Sequence, residues 1–117
     1  MSRDWLLYAD DIVSSSEKIQ RLIGRRSFAE FVADEATFDA VLFNLQVIGE
    51  AAKQLPDVAR AMLPDVDWTG PARLRDLIAH RYFSLDSEIL WDVATNHVPQ
   101  ILDAARSLLA RCDKGGT

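Results

Sequence analysis

Residues 38–56 read FDAVLFNLQVIGEAAKQLP, and the apolar side chains in this stretch recur every three or four positions. That spacing places them on one face of a helix. It predicts a long helix near 35–55, ended by Pro56, because proline cannot continue helical hydrogen bonding. Phe43 and Val47 lie off this face, so the helix should have a second apolar edge and touch two neighbours, one of which could be another subunit. The main face consists of Phe38, Val41, Leu45, Ile48, Ala52 and Leu55.

The same spacing occurs near both ends of the chain. Residues 4–23 are predicted to form a helix that Gly24 ends. A last helix is predicted from a cap at Asp86 to about Arg111, bent by Pro99. The first helix has the face Trp5, Ala9, Ile12, Ser16, Ile19 and Ile23, and the last has Leu90, Val93, His97, Ile101, Ala104 and Leu108.

The middle of the chain predicts shorter elements. A helical turn is expected over Asp57–Leu63, and a further helix from Pro71, capped by Thr69 or Gly70 and fading near Ser84. No segment alternates as a strand does. We therefore predict an all-α fold, an up-and-down bundle of four main helices plus short helical turns, as one domain over 1–111 with a polar tail over 112–117.

The bulk composition is that of an ordinary globular domain. Of 117 residues, 49% are apolar and 26% charged, and the net charge is −5. The single cysteine, Cys112, cannot form an internal disulfide, and the start MSRDWLLYADD has no apolar run that suits a signal peptide or a membrane span. These features predict a cytoplasmic protein with no membrane contact. Binding of nucleic acid would require a local basic patch.

The candidate chemistry lies in residues 73–83, RLRDLIAHRYF. A histidine that moves protons beside an arginine that holds a phosphate suits phosphodiester cleavage. Asp76 precedes His80 by one helical turn and could orient its ring. Arg75 and His80, however, are five residues apart, about 140° around a regular helix. They could meet if both flank a groove, if the helix loosens, or if a second copy supplies half the site. The alternative is a helix end with solvated cations.

Other chemistry finds little support in the sequence. His-Glu-x-x-His, Cys-x-x-Cys and acidic-loop patterns are missing, so neither a metal site nor a cofactor is expected. The other histidine, His97, falls on the apolar face of the last helix. It is predicted to be a hydrogen-bonded core or interface residue.

The segment R75-D-L-I-A-H80-R-Y82 matches the motif Arg, four residues, His, one residue, Tyr of the HepT-like family, part of the HEPN superfamily. The flanking segments are similar to the same family: N44-L-Q-V-I-G-E-A-A-K-Q-L-P56, L63-P-D-V-D-W68, F83-S-L-D-S-E-I-L-W91 and V98-P99. The resemblance covers essentially residues 4–108.

This resemblance implies a helical homodimer whose two motifs face each other, acting as a metal-independent endoribonuclease toxin. It implies that His80 is the general base or acid, that Arg75 neutralises charge on the phosphoryl group, and that Asp76 orients either of them. Arg73 and Arg81 would contact RNA phosphates, and DNA would be inert because it lacks the 2′-hydroxyl. A minimal nucleotidyltransferase partner would attach AMP to Tyr82 and silence the toxin.

Two alternatives remain at this stage. The chain could be a non-catalytic, nucleotide-binding partner subunit of such a nucleotidyltransferase, or a plain structural bundle. The acidic net charge requires that any RNA cleft focus positive charge locally, and Arg25, Arg26 and Lys53 are further candidates for its rim.

Overall fold

In the structure, a computed structural model, residues 4–81 and 85–115 are described. Their regular secondary structure is entirely helical, which confirms the all-α prediction. The helices are α1 (Trp5–Ile23), α2 (Phe28–Ala33), α3 (Glu35–Lys53), α4 (Asp57–Met62), α5 (Thr69–Arg81), α6 (Ser87–Asp92) and α7 (Val98–Gly115), with a π-helical turn at Val93–His97.

The two long N-terminal helices follow the predicted pattern. Helix α1 buries the expected apolar face except for Trp5, which is partly buried, and it ends at Gly24, whose φ of 50° favours a residue without a side chain. Helix α3 ends three residues before Pro56. It packs against both α1 and α5. Phe43, on its outer side, is 64% exposed.

Helix α2 is not among the sequence predictions, although its start carries a recognisable signal. The hydroxyl of Ser27 accepts a hydrogen bond from the backbone of Glu30, and the Glu30 carboxylate accepts one from the backbone of Ser27. This reciprocal capping box satisfies two donors that a helix start leaves free. The helix is short, but it carries Phe31 into the core, where its ring centroid lies 5.3 Å from that of Trp91.

The last helical run, residues 87–115, differs from the prediction in its middle. Asp86 caps α6 through the backbone nitrogen of Glu88, as expected. The π-helical turn then inserts directly before α7, and the nitrogen of Val98 donates to the carbonyl of Val93. Pro99 has no donor for a regular helical bond at this point, so the irregularity accompanies the proline. Helix α7 continues to Gly115, past the expected end near Arg111.

The extra residue in the π-helical turn changes which side chains enter the core. Because a π-helical turn holds one more residue than an α-helical turn, the residues after it face the core one position later in the sequence than a regular helix would give. The buried positions therefore include Ala94, Val98, Leu102 and Ala105. Val93 and Ile101 are only partly buried.

Helices α1, α3 and α7 enclose the main core, and α5 closes it against α3. Fully buried side chains from all of these helices and α6 meet there, among them Ile12, Ile19, Leu42, Ile78, Leu90 and Leu108. The core thus fixes α5 along α3, and this pairing positions the candidate site.

In the described part of the chain, no helix is long and apolar enough to cross a membrane.

Candidate active site

Helix α5 begins at a cap formed by Asp67. Its Oδ1 accepts hydrogen bonds from the backbone nitrogens of Thr69 and Gly70, at 3.0 and 3.1 Å, and from the Thr69 hydroxyl at 2.6 Å. The expectation that Thr69 or Gly70 caps the helix is therefore wrong. An aspartate side chain reaches the free nitrogens of the first turn, so the helix starts two residues before Pro71.

Helices α3 and α5 approach each other most closely at Gly49. A β-carbon built at this glycine would lie 2.3 Å from the β-carbon of Arg75 and 2.5 Å from the carbonyl oxygen of Pro71. Both distances are far below van der Waals contact. Gly49 therefore permits the crossing and brings its neighbours on α3 to the arginine on α5.

Four charged side chains alternate in sign across this crossing. The Nε of Arg75 lies 3.3 Å from a carboxylate oxygen of Glu50, and its Nη1 lies 3.3 Å from Oδ1 of Asp76. The same oxygen of Asp76 lies 3.6 Å from Nζ of Lys53. Glu50 and Lys53 are one turn apart on α3, and they hold the adjacent pair on α5. We call these four residues the α3–α5 charge chain.

His80 stands apart from this chain. Asp76 was expected to contact either Arg75 or His80. In the structure it contacts Arg75, and also Lys53. Within the described residues, its interactions do not include His80. His80 is exposed near the end of α5. Within one copy, the arginine and histidine therefore remain separated, as their five-residue spacing on a helix requires.

The flanking cations are placed differently. Arg73 donates to the Thr69 hydroxyl at 3.0 Å and lies 3.6 Å from Asp67, with 72% of its side chain exposed. It is two residues from Arg75, about 200° around the helix, so it lies on another side of α5. Its role as a phosphate contact stays a prediction. Tyr82 and the side chain of Arg81 lie outside the residues that the structure describes.

Two of the remaining candidates for the rim of a cleft, Lys53 and Arg26, lie in different parts of the molecule. Lys53, which sequence analysis could not place, belongs to the charge chain. Arg26 instead donates to the carbonyl of Leu22 and lies 3.8 Å from Asp34, at the junction of α1, α2 and α3. Glu50 is not among the site residues predicted from the sequence. Its position three residues before Lys53, next to a glycine, was the available signal.

His97 is not a core residue. Its side chain is 58% exposed, and Nε2 lies 3.3 Å from a carboxylate oxygen of Asp92. The π-helical turn accounts for this, because it moves Val98 inward in place of His97. His97 also lines a cavity of about 480 Å³ whose walls include Leu45, Leu74 and Ile101. Among the described residues, no three His, Cys, Asp or Glu side chains cluster as metal ligands would.

The fold and the site define a helical domain that presents an arginine, held between carboxylates, and an exposed histidine from one helix. The family model described as "Ribonuclease HepT-like" matches residues 12–108. The chain belongs to this HepT-like ribonuclease family, as its resemblance suggested.

Named relatives agree with this assignment. The chain is 40% identical over 97 residues to "Putative RNase MJ0127" of Methanocaldococcus jannaschii, covering 83% of this chain and 80% of the relative. It is 33% identical to "Probable ribonuclease HepT" of Thermococcus cleftensis, covering 86% and 92% of the two chains. It is 29% identical to "Putative RNase TTE0752" of Caldanaerobacter subterraneus subsp. tengcongensis, covering 89% and 93%. No solved structure shows a significant match.

Proposed function

We propose that this protein is an endoribonuclease that cleaves RNA by attack of a 2′-hydroxyl on the adjacent phosphate. The proposal rests on the ion pairs that hold Arg75, in a chain that belongs to the HepT-like ribonuclease family. The Arg75 guanidinium is fixed at the α3–α5 crossing, on the same helix as an exposed histidine. A fixed cation and a titratable imidazole are the two groups that this reaction needs.

In the proposed reaction, His80 takes the proton of the 2′-hydroxyl while the 2′-oxygen forms a bond to phosphorus. The bond from phosphorus to the 5′-oxygen breaks, and that oxygen receives a proton from an imidazolium. Arg75 stabilises the charge on the phosphoryl oxygens as it grows. The products are a 2′,3′-cyclic phosphate and a 5′-hydroxyl. This scheme uses no metal ion, and DNA cannot react because it has no 2′-hydroxyl.

The separation of Arg75 and His80 supports a site shared between two copies. The exposed Phe43 lies on α3 with Val47 and Glu50 at steps of four and three, so this apolar edge runs toward the charge chain. A second copy packed on that edge would stand beside the site. In the proposed homodimer, the histidine of one copy faces the arginine of the other.

We further propose that the nuclease is the toxin of a toxin–antitoxin pair and acts in the cytoplasm. A minimal nucleotidyltransferase would be its antitoxin and would attach AMP to Tyr82. Tyr82 follows His80 by two residues in the sequence. An added AMP would bring bulk and negative charge to the site and repel RNA.

The nuclease proposal is tested by comparing the wild-type protein with His80→Ala in a cleavage assay on RNA and on DNA of the same sequence, with EDTA present. His97→Ala is the matched control, since His80 and His97 are the two histidines of the chain. Wild type and His97→Ala should cut RNA, leave DNA intact and stop growth when expressed alone. His80→Ala should fold normally but should neither cut RNA nor stop growth. Equal behaviour of wild type and His80→Ala would reject catalysis and favour the non-catalytic partner subunit.

The antitoxin proposal needs a separate experiment. The protein is co-expressed with a minimal nucleotidyltransferase from the same genome, and its intact mass is measured. Wild type and Tyr8→Phe should gain whole AMP units, while Tyr82→Phe should gain none; these are the two tyrosines of the chain. An unchanged mass in wild type would reject the modification and leave the nuclease proposal standing.

A further inference from the structure

We infer that Glu50 is a positioning residue that holds the Arg75 guanidinium in the orientation needed to receive the scissile phosphate. The inference deepens the proposed ribonuclease function and rests on it for its catalytic consequence. It assigns a role to a residue on α3, outside the arginine–histidine–tyrosine motif of the sequence. The evidence is the way in which the donors of Arg75 are distributed.

A guanidinium has five N–H donors, one on Nε and two on each terminal nitrogen. Glu50 engages Nε at 3.3 Å, and Asp76 engages Nη1 at 3.3 Å. The contacts of Arg75 with Glu50 and Asp76 are made by Nε and Nη1. The second terminal nitrogen, Nη2, carries two further N–H donors that a phosphate oxygen can accept from.

Arg75 is held at both ends of its side chain. Its β-carbon packs against Gly49, where any larger residue would clash, so the start of the side chain is fixed. Glu50, the next residue on α3, then fixes the head group. Gly49 and Glu50 on α3 therefore hold the two ends of the Arg75 side chain. A long side chain that would otherwise rotate freely is kept in one orientation.

A second cation, Lys53 on α3, lies beside Asp76. Lys53 lies 3.6 Å from the same oxygen that contacts Arg75. This cation offsets the carboxylate charge. The charge chain of Glu50, Arg75, Asp76 and Lys53 is neutral as a whole, so it positions the arginine without adding net negative charge to the site.

The contrasting interpretation is an ordinary surface ion pair, and the molecule contains one for comparison. Arg106 lies 2.8 Å from Glu17, and the two side chains are 52% and 41% exposed. The Arg75 and Glu50 side chains are 36% and 49% exposed, so the two pairs differ little in exposure. Glu17→Ala therefore controls for the loss of a surface glutamate that pairs with an arginine.

The first measurement does not depend on catalysis. In nitrogen-15-labelled protein, exchange of the Arg75 Nε proton with water is followed by NMR in wild type, Glu50→Ala, Glu50→Gln and Glu17→Ala. Glu50→Ala should speed the exchange of this proton because it removes the carboxylate that lies 3.3 Å from Nε, whereas Glu50→Gln should keep it slow because its amide oxygen can occupy the same place. Glu17→Ala should leave it unchanged. Unaltered exchange in Glu50→Ala overturns the positioning role.

The second measurement is steady-state cleavage of RNA by the same four proteins. Glu50→Ala should lower kcat by about tenfold to a hundredfold, with little change in KM, because orientation of the arginine matters most as charge develops in the transition state. Glu50→Gln should restore most of kcat. If Glu50→Ala cleaves as fast as wild type or faster, Glu50 only masks the arginine and the inference fails. A wild-type protein that does not cleave RNA rejects the proposed function instead, while the exchange of the Arg75 proton still decides the positioning.

Discussion

Gly49 on α3 and Arg75 on α5 lie so close together that a β-carbon on the glycine would stand 2.3 Å from the β-carbon of the arginine. Carbon atoms in contact normally lie about 3.5–4.0 Å apart. The crossing therefore depends on a residue without a side chain. It places Glu50 and Lys53 within reach of Arg75 and Asp76, so one packing contact assembles the charged part of the site.

Gly49→Ala should consequently weaken both the fold and the site. The added methyl group must push α5 away from α3, at a cost of about 1–3 kcal/mol in the free energy of unfolding. Urea unfolding measures this change, and RNA cleavage should fall with it because Arg75 leaves Glu50. Gly70→Ala is the control. Its β-carbon would lie 3.0 Å from a carboxylate oxygen of Asp67, the end of a side chain on the surface, so its stability should change by less than about 1 kcal/mol. Equal stability of Gly49→Ala and wild type would show that the crossing opens easily.

The Asp67 cap should make the stability of α5 depend on pH. The hydrogen bond from the Thr69 side chain, followed by those from the backbone of Gly70 and Thr69, lowers the pKa of Asp67 below its ordinary value. A lowered carboxyl pKa stabilises the fold above the unfolded-state value, near 4, and this contribution is lost as the pH falls through the folded-state value. Asp67→Ala should cost about 0.5–2 kcal/mol at neutral pH, the usual effect of removing a cap. In urea unfolding, the gap between wild type and Asp67→Ala should narrow below about pH 4. If the difference in unfolding free energy between wild type and Asp67→Ala does not change with pH, the negative charge of Asp67 does not contribute to the cap.

Lys53→Ala should weaken the binding of RNA without abolishing cleavage. Its ammonium group lies beside Asp76 at the edge of the charge chain, with 40% of the side chain exposed. A cation that neutralises one phosphate contributes about one unit to the slope of affinity against salt concentration. Titration of a non-cleavable RNA at several salt concentrations should therefore give a slope about one unit shallower for Lys53→Ala. Lys18→Ala, on α1, provides the control for the loss of a lysine. Identical slopes for wild type and Lys53→Ala would place Lys53 outside the RNA contact.

Phe43→Glu should disrupt the proposed homodimer. Phe43 is 64% exposed and lies on the edge of α3 that leads to Glu50, so a charge there would be buried against a second copy. Light scattering should show a monomer, and RNA cleavage should fall, while the helical signal is kept. Leu7→Glu is the matched control, because Leu7 is 66% exposed on α1. A wild-type monomer, or a Phe43→Glu variant that still dimerises, would exclude this edge as the contact.

The helices that sequence analysis predicted well are those with a long apolar stripe. Helix α1 and helix α3 extend over many turns, so the repeat of three and four residues is unambiguous and Gly24 and Pro56 mark their ends. The last helix shows where this reasoning fails. A π-helical turn adds one residue to the repeat, so His97 moves to the surface and Val98 enters the core.

The sequence by itself determined the helical class, the positions of α1 and α3, and the family through the segment around Arg75 and His80. Periodicity and local motifs carry that information, because they depend on neighbours within a few residues. Only the tertiary structure decided that Glu50 and Lys53 join Arg75 and Asp76. Glu50 and Arg75 are 25 positions apart in the chain. Their contact exists because the helices meet at Gly49, and the local pattern of neither helix contains that packing contact.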